Sequence, residues 1–373
     1  MADQTRRVTA AADDNGSVLL ALRDVTKRFA VSHRLRSGSR WLTAVDGVTL
    51  TVAAGETFAV VGETGCGKST LARLMVGLTP VTSGSVLVGG RDVTRHSRRA
   101  LRPLRRDTQL IFQDSFSSLN PRHTVGSIIS EPFRIHGLVP RAERRAHVER
   151  LMELVGLSAE SYDRFPRDFS GGQRQRISIA RAIAVRPKLL ICDEPVSALD
   201  VSIQAQILNL LLDLRSERGL SYVFISHDLA VVRQIADRVA VMYLGRVVEL
   251  AQASELFSAP RHPYTAALLS ATPVPDPAAA RSTRRVVLQG DPPSPANPPS
   301  GCSFHPRCPR AQERCAAERP ELSGDGGGSL VACHFPLAPG ELLRPKAEGN
   351  APAAAGSDGG SSLPVSPASE GGS

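Results

Sequence analysis

A glycine-rich loop between an apolar run and a helix-forming segment limits most strongly what this chain can fold into. Phe58–Val61 is apolar, and Gly62–Ser69 reads Gly-Glu-Thr-Gly-Cys-Gly-Lys-Ser. This matches the pattern G-x-x-x-x-G-K-[ST] of a phosphate-binding loop between a strand and a helix. Glycines permit the positive φ angles that turn successive N–H groups toward an anion. The loop predicts an α/β protein whose nucleotide-binding residues include Gly62, Glu63, Thr64, Gly65, Cys66, Gly67, Lys68, Ser69 and Thr70.

Two side chains of this loop have separate tasks. Lys68 supplies a point charge for the β- and γ-phosphates, and Ser69 offers a hydroxyl to Mg²⁺. The helix predicted from Ser69 onward directs the positive end of its dipole at the same phosphates. A glycine-rich turn with an incidental lysine is the alternative, but the strand–loop–helix context favours a nucleotide site.

Two acidic residues follow another apolar run. Leu189–Cys192 reads as a buried strand, and Asp193 and Glu194 come directly after it. Ligands of α/β sheets bind at the carboxyl ends of the strands, so we expect both side chains near the phosphate loop. Asp193 suits a ligand of Mg²⁺ or a partner of one, and Glu194 suits the base that deprotonates the attacking water. Helix capping ahead of Pro195 is the structural alternative, and it is compatible with catalysis.

A second pair of glycines precedes a second helix-forming segment. Ser170, Gly171, Gly172 and Gln173 stand directly before residues 174–181. A capping serine and two glycines at a helix start form an anion site. Two such helix starts, far apart in one chain, need a common explanation.

The motifs of this chain resemble, in type and order, those of ATPase subunits of the ABC family. After the phosphate loop come Gln113 of the Q-loop, the signature Phe169–Gln173, the acid pair, the D-loop Ser197–Asp200 and the switch histidine His227. The resemblance spans residues 17–260. It implies a P-loop NTPase (RecA-like) core with an inserted helical subdomain at about 114–186 and an ABC β-subdomain.

The resemblance also implies how the residues act. In that family the signature of one subunit closes over the γ-phosphate of ATP held by the other, so that two ATP molecules lie in a head-to-tail dimer. Ser170, Gly171, Gly172 and Gln173 are then expected to bind the partner's ATP. Phe169 replaces the commoner leucine, while the contacting serine and glycines are intact.

Further roles follow from the same resemblance. Gln113 would contact Mg²⁺ and the lytic water, so that Ser69, Gln113 and Asp193 form the expected Mg²⁺ set. His227 would contact the γ-phosphate and Phe29 would stack on the adenine. The expected catalytic residues are Glu194, His227 and Gln113.

Other stretches narrow the resemblance to ATPases of oligopeptide, dipeptide and nickel importers. These are Gln113–Arg122, His262–Leu269 and the cysteine-bearing segment from 302 to 333. The long loop between Phe29 and Ala44 resembles the second of the two ATPases of such systems. The implied partners are a second ATPase subunit in a heterodimer, two membrane permease subunits and, indirectly, a solute-binding protein.

Four cysteines lie in the C-terminal extension, residues 261–343: Cys302, Cys308, Cys315 and Cys333. They resemble the region in which some family members hold a [4Fe–4S] cluster, and four thiolates match that ligand count. Zinc held by four cysteines, or by a set with His305 or His334, is an alternative, and free thiols are another. Cys66 and Cys192 we interpret as small packing residues.

Composition bears on partners and location. The chain has 373 residues, enough for two domains, and a net charge of +9. Lysine occurs only at positions 27, 68, 188 and 346, and the few aromatic residues are not interleaved with arginine, so we expect no nucleic-acid partner. No signal peptide or long apolar stretch is evident, which predicts a cytosolic protein. The resemblance to importer ATPases implies a peripheral position on the cytoplasmic face of the membrane. Residues 1–16 and 344–373 are expected to be disordered.

The function expected from the sequence is that of an ATPase that energises a membrane importer. The permease would dock near residues 113–140 of the helical subdomain, and peptides are the expected cargo, with nickel or another small solute as the alternative. An ABC ATPase that acts on the ribosome or on DNA is a less favoured class, because the chain carries one phosphate loop and no long coiled coil.

Overall fold

The computed structural model describes most of the chain: residues 18–31, 40–94, 101–272, 286, 288, 290–324 and 328–344. The tail 1–16 and all of the tail 344–373 except its first residue lie outside these ranges, as does most of the loop between Phe29 and Ala44. Within the described ranges no helix is both long enough and apolar enough to cross a membrane.

A mixed sheet of seven strands forms the centre of the molecule, and a four-stranded antiparallel sheet lies beside it. The strands are β1 (Val18–Val31), β2 (Arg40–Ala53), β3 (Thr57–Val61), β4 (Ser83–Val88), β5 (Arg91–Asp92), β6 (Thr108–Ile111), β7 (Leu189–Asp193), β8 (Ser221–Ser226), β9 (Arg238–Tyr243), β10 (Arg246–Gln252) and β11 (Leu330–Val331).

The helices alternate with the strands of the larger sheet, apart from a group inserted between β6 and β7. They are α1 (Lys68–Met75), α2 (Arg102–Asp107), α3 (Ser115–Ser118), α4 (Val125–His136), α5 (Arg144–Leu154), α6 (Gly171–Ile183), α7 (Val201–Arg218), α8 (Leu229–Ile235), α9 (Ala253–Ser258), α10 (Pro263–Ala271) and α11 (Glu313–Ala317).

The larger sheet has the strand order β11-β10-β9-β3-β8-β7-β6. The five strands from β9 to β6 run parallel. Every residue of β3, β7 and β8 is buried, as expected of parallel strands covered on both faces. Because β3, β7 and β8 run parallel, the loops that follow them emerge at the same edge of the sheet. This edge brings distant parts of the sequence together.

The antiparallel sheet has the order β2-β1-β4-β5. Leu20, Leu22 and Leu50 of this sheet share a buried core with Phe58 of β3 and Leu71 of α1. The sheet therefore packs on the phosphate loop and its helix. This is the architecture expected of a P-loop core with an ABC β-subdomain, and the predicted fold class is confirmed.

The inserted helices α3 to α6 form their own packed unit against the sheet. Ile128 and Phe133 of α4, Met152 of α5 and Ile179 of α6 are all buried in one core. Thr124 caps α4 by accepting a hydrogen bond from the backbone N–H of Ser127, at 3.3 Å. The start of α6, which carries the signature, is therefore held by a packed helical core.

The C-terminal extension is attached to the core by a buried polar contact. Glu249 of β10 is fully buried, and its two carboxylate oxygens accept hydrogen bonds from the backbone N–H groups of Arg261 (2.7 Å) and His262 (2.9 Å). Nδ1 of His262 accepts from the N–H of Tyr264 at 3.0 Å, which caps α10. Pro263 takes the first position of that helix, where its missing N–H costs nothing. The sequence His-Pro-Tyr is thus a helix start.

We predict that His262 makes the fold sensitive to acid. Complete burial lowers the pKa of His262 from 6.5 to about 3, so only the unfolded chain takes up this proton between those values. Above pH 6.5, His262 is neutral in both states and its full contribution to the free energy of unfolding is present. As the pH falls below 6.5 this contribution is lost, by about 2 kcal/mol at pH 5. His262→Asn keeps a cap acceptor and has no such titration.

The midpoint of thermal unfolding should therefore fall less between pH 7.5 and pH 5 in His262→Asn than in the unsubstituted chain, by about 3 °C. His123→Asn, on a partly exposed turn, is the matched control and should leave the pH dependence unchanged. An equal fall in all three proteins would contradict the assignment.

Candidate nucleotide site

The phosphate loop has the shape that its glycines predict. Gly62 and Gly67 have φ angles of 153° and 108°. A Cβ atom at Gly62 would clash with the carbonyl oxygen of Met242, and one at Gly67 with that of Ala44. No side chain caps the N-terminus of α1, so its first N–H groups stay available to an anion.

Lys68 and Ser69 connect this loop to the acid pair. Lys68 is 4% exposed, and its Nζ donates to the carbonyl oxygens of Gly62 (2.7 Å) and Glu63 (3.1 Å). The hydroxyl of Ser69 donates to Oδ1 of Asp193 at 3.0 Å. The expected convergence of the loop with the end of β7 is present.

Asp193 and Ser69 present oxygen atoms of the kind that Mg²⁺ prefers. Burial raises the pKa of the Asp193 carboxyl, and the nearby charge of Glu194 raises it further, while the hydrogen bond from Ser69 and the charge of Lys68 act against this. A divalent cation placed beside these two oxygens would favour the ionised form. The donor set therefore fits the ion.

Three side chains from separate elements converge on the carboxylate of Glu194. Gln113, after β6, donates from Nε2 to Oε2 at 2.8 Å. Nδ1 of His227, after β8, lies 3.3 Å from Oε1, and Nζ of Lys68 lies 4.0 Å from the same atom. The structure thus brings together the catalytic residues that the sequence predicted, although their roles remain predictions.

The backbone of Glu194 helps to place this carboxylate. Its φ angle is +47°, a left-handed conformation uncommon outside glycine. Its N–H donates to the carbonyl oxygen of Ile225 at 3.0 Å, across to the end of β8. Strained backbone of this kind is found where a side chain must be held in one direction.

The loop opens into a cavity of about 270 Å³. Phe29, 38% exposed, and Leu42 border it on the side of the antiparallel sheet. The position of Phe29 agrees with its expected contact with adenine, which remains a prediction. The cavity is lined by the loop residues Thr64, Gly65, Cys66, Gly67, Lys68, Ser69 and Thr70, with Gln113, Glu194, Gly245 and Pro295.

The signature lies at the start of α6, as predicted. The Ser170 hydroxyl accepts a hydrogen bond from the Gln173 N–H at 3.3 Å, and Oε1 of Gln173 accepts one from the Ser170 N–H at 3.0 Å. A Cβ at Gly172 would clash with Ile203 of α7. Neither Ser170 nor Gln173 is among the residues that line the nucleotide cavity, and both are exposed.

The four cysteines of the extension lie around one small cavity, together with His305 and His334. None of the four is paired in a disulfide bond. Burial raises the pKa of Cys308 to about 11 and that of Cys333 to about 12. Over the described ranges, no group of three or more His, Cys, Asp or Glu residues is placed to hold a single metal ion.

Sequence reasoning missed three residues at the nucleotide site, all from the extension. Pro295 borders the cavity, the hydroxyl of Tyr264 accepts from the Glu63 N–H at 2.9 Å, and Arg307 pairs with the Glu63 carboxylate. The stretch containing Tyr264 was singled out by resemblance, but nothing in its spacing indicates contact with a loop 201 positions earlier.

Together the fold and site define a P-loop ATPase with a buried acid pair at the end of a parallel strand and a signature whose Ser170 and Gln173 do not line its own cavity. The sequence model of the ABC transporter family matches residues 45–197, and that of the oligopeptide/dipeptide transporter C-terminal region matches residues 248–315. The chain is therefore an ATP-hydrolysing member of the ABC transporter family, in the group with this C-terminal region.

Similar proteins support this assignment over most of the chain. The probable peptide ABC transporter ATP-binding protein y4tS of Sinorhizobium fredii is 54% identical, over 85% of this chain and 89% of the relative. The di/tripeptide transport ATP-binding protein DppF of Pseudomonas aeruginosa is 51% identical, over 82% and 94%. A solved dimeric ATP-binding cassette with bound ADP and phosphate is 28% identical, with a TM-score of 0.57 over 63% of this chain and 99% of that one.

We predict that Glu194→Gln abolishes hydrolysis and preserves ATP binding. The amide keeps the size of the side chain but cannot accept a proton from water, and loss of a general base costs about 100-fold or more in kcat. Steady-state ATPase activity and equilibrium binding of MgATP measure the two effects. Glu217→Gln, on the exposed end of α7, should change neither. Retained turnover in Glu194→Gln would remove this residue from the role of base.

Proposed function

We propose that this chain is the ATP-hydrolysing subunit of an importer that takes up dipeptides or oligopeptides. The observation that carries the proposal is the identity of about 50% to peptide-transport ATP-binding proteins over more than 80% of the chain. The match of its C-terminal region to that of oligopeptide and dipeptide transporters agrees with it.

The arrangement of the site suggests how ATP is hydrolysed. Backbone N–H groups of the loop and Nζ of Lys68 hold the β- and γ-phosphates. Ser69 and Asp193 would hold Mg²⁺, which would neutralise phosphate charge. Glu194 takes the proton of the attacking water, while Gln113 and His227 fix the direction of its carboxylate. Such catalysis consists mainly of positioning and electrostatic stabilisation.

The site needs a second ATPase subunit to be complete. Ser170 and the signature glycines stand outside their own cavity, so a signature that contacts the γ-phosphate must come from another chain. Val201, beside the D-loop, is an apolar residue that is 81% exposed, and a subunit that binds there would cover it. We propose a head-to-tail dimer, with a heterodimer favoured by the resemblance of the loop between Phe29 and Ala44.

The permease subunits are proposed to dock on the helical insertion near residues 113–140, at the cytoplasmic face of the membrane. Two apolar side chains are exposed there, Phe112 (37%) and Ile135 (50%). A cavity of about 330 Å³ in the same insertion is lined by Phe133 and Leu138, which lie near Ile135 in the chain, and by Arg106, Arg150 and Arg186. A lining that combines apolar and basic side chains suits a short amphipathic segment of a permease.

A further proposal concerns the cysteines Cys302, Cys308, Cys315 and Cys333, which could hold a [4Fe–4S] cluster. Their convergence on one cavity supports it, and four cysteines are the usual ligands of such a cluster. A zinc ion requires all its ligands around one point, whereas the cluster takes one cysteine for each iron. Analysis of iron, sulfide and zinc in anaerobically purified protein distinguishes the two, and absence of all three would overturn both.

Reconstitution tests the transport function. The chain, coexpressed with its second ATPase subunit and two permease chains, is placed in proteoliposomes with the solute-binding protein. We expect uptake of labelled di- and oligopeptides that depends on ATP, and no comparable uptake of Ni²⁺. Nickel uptake instead of peptide uptake would overturn the proposal that peptides are the cargo. Salt-sensitive binding to nucleic acid without any membrane partner would overturn the transport function.

In the same experiment, Ile135→Asp should lower copurification with the permeases and peptide uptake by about tenfold or more, because it places a charge in an apolar contact. ATP binding by the isolated subunit should stay normal. Leu342→Asp alters a side chain that is 82% exposed in the extension and is the matched control. Equal copurification of both variants would show that the permeases dock on another surface.

A further inference from the structure

The phosphate loop is held by an arginine of the C-terminal extension. Nη1 of Arg307 donates to Oε2 of Glu63 at 2.9 Å, and Nη2 donates to Oε1 at 3.0 Å. Glu63 is the second residue of the phosphate loop, and 244 positions separate the two residues. The pairing is bidentate, which is the strongest and most directional form of an arginine–carboxylate contact.

Little water reaches this pair from the side of the extension. The side chain of Arg307 is 8% exposed and that of Glu63 is 24% exposed. Tyr243, Tyr264 and Phe304, all nearly fully buried, pack next to the pair with ring centroids 4.8 to 5.3 Å apart. The interaction is therefore screened less than a surface ion pair, and removal of Glu63 leaves the largely buried charge of Arg307 without its carboxylate partner.

The electrostatics of Arg307 depend on this contact. Burial acts to lower the pKa of Arg307, but the hydrogen bonds to Glu63 and Tyr243 and the charge of Glu63 outweigh it, so the pKa is raised. The guanidinium is held in its charged form beside the carboxylate.

Glu63 passes this restraint to the lysine of the phosphate loop, Lys68. Its carboxylate is held by Arg307, and its N–H donates to the hydroxyl of Tyr264 at 2.9 Å. Its carbonyl oxygen accepts from Nζ of Lys68 at 3.1 Å. Every polar group of Glu63 is thus engaged, two of them by the extension and one by the lysine that faces the phosphates.

The extension also contributes to the wall of the cavity, since Pro295 lies among the residues that line it. Arg307 itself stands on the 3₁₀ turn His305–Arg307, between Cys302 and Cys308. The same short turn therefore borders the cysteine cavity on one side and reaches the phosphate loop on the other.

We infer that Arg307 is a positioning residue of the nucleotide site, which holds the phosphate loop through Glu63 in the shape that binds ATP. The extension is then part of the ATP site. The inference rests on ATP binding by the loop and is independent of the transported solute. A contact that served only to fasten the extension would stabilise the fold and leave ATP affinity unchanged.

The test is a double-mutant cycle with Arg307→Gln and Glu63→Gln, read out by the Kd and KM for MgATP, by kcat and by the midpoint of thermal unfolding. Each single variant should raise Kd and KM about tenfold, since a charged hydrogen-bonded partner is lost, while kcat at saturating ATP changes little. The double variant should be no weaker than either single variant. Arg307→Lys keeps the charge without the bidentate geometry, so its Kd and KM should lie between those of the unsubstituted chain and those of Arg307→Gln.

Arg314→Gln is the matched control, because Arg314 is exposed in the same extension and pairs with Glu318 at 2.8 Å; it should leave Kd and KM unchanged. If Arg307→Gln does not fold, Tyr264→Phe, which removes only the hydroxyl contact with Glu63, should still raise Kd. Unchanged Kd and KM in the folded variants, or additive effects in the double variant, would overturn the inference. Loss of peptide transport with normal ATP affinity would count against the transport proposal alone.

Discussion

The site depends on the close approach of neighbouring backbone to the phosphate loop. At Gly62 and Gly67 the carbonyl groups of Met242 and Ala44 come so near that no side chain fits. The turn after β9 completes the contact, because the Gly245 N–H donates to the carbonyl oxygen of Cys66 and the Gly245 carbonyl accepts from Asp46, at 2.8 and 2.9 Å. The loop is thus held between the two sheets, and its N–H groups are aligned before any phosphate arrives.

Preorganisation of this kind matters because both side chains of the acid pair are buried. Asp193 is 4% exposed and Glu194 is 8% exposed, and burial of carboxylates is unfavourable unless cations or donors surround them. Lys68, Gln113 and the Ser69 hydroxyl provide part of that compensation, and a divalent cation would provide more. The site is consequently shaped for negative phosphate and positive magnesium together, each of which improves the environment for the other.

Much of this site could be predicted from the sequence because most of its residues belong to short, local motifs. The loop, the acid pair and the signature are short motifs, each following a strand or opening a helix, and their order places them at one edge of a parallel sheet. The contacts of Arg307, Tyr264 and Pro295 could not be predicted in this way. They depend on how the extension folds back over the turn after β9, and no local pattern near residue 63 or residue 307 encodes that path.

The convergence of the four cysteines is likewise not predictable from local sequence patterns. Spacings of 6, 7 and 18 residues match no common zinc pattern, yet the folded extension brings all four thiols to one cavity. What brings them there is long-range pairing: β11 joins β10 next to Cys333, and the Cys302 N–H donates to the Cys315 carbonyl at 2.8 Å. Groups of cysteines assembled by such contacts are visible only in three dimensions.

The half-site character of the cavity has a physical basis in the signature helix. The capping box uses the lone pairs of the Ser170 hydroxyl and of Gln173 to satisfy two N–H groups, but it leaves the hydroxyl proton of Ser170 free to donate. The N–H groups of the two glycines that follow stand at the positive end of α6. This surface is already folded, so the proposed closure of a dimer on ATP would require little further ordering of the signature. In the proposed importer, the free energy of closure would then be available to move the two subunits and the permease bound to them.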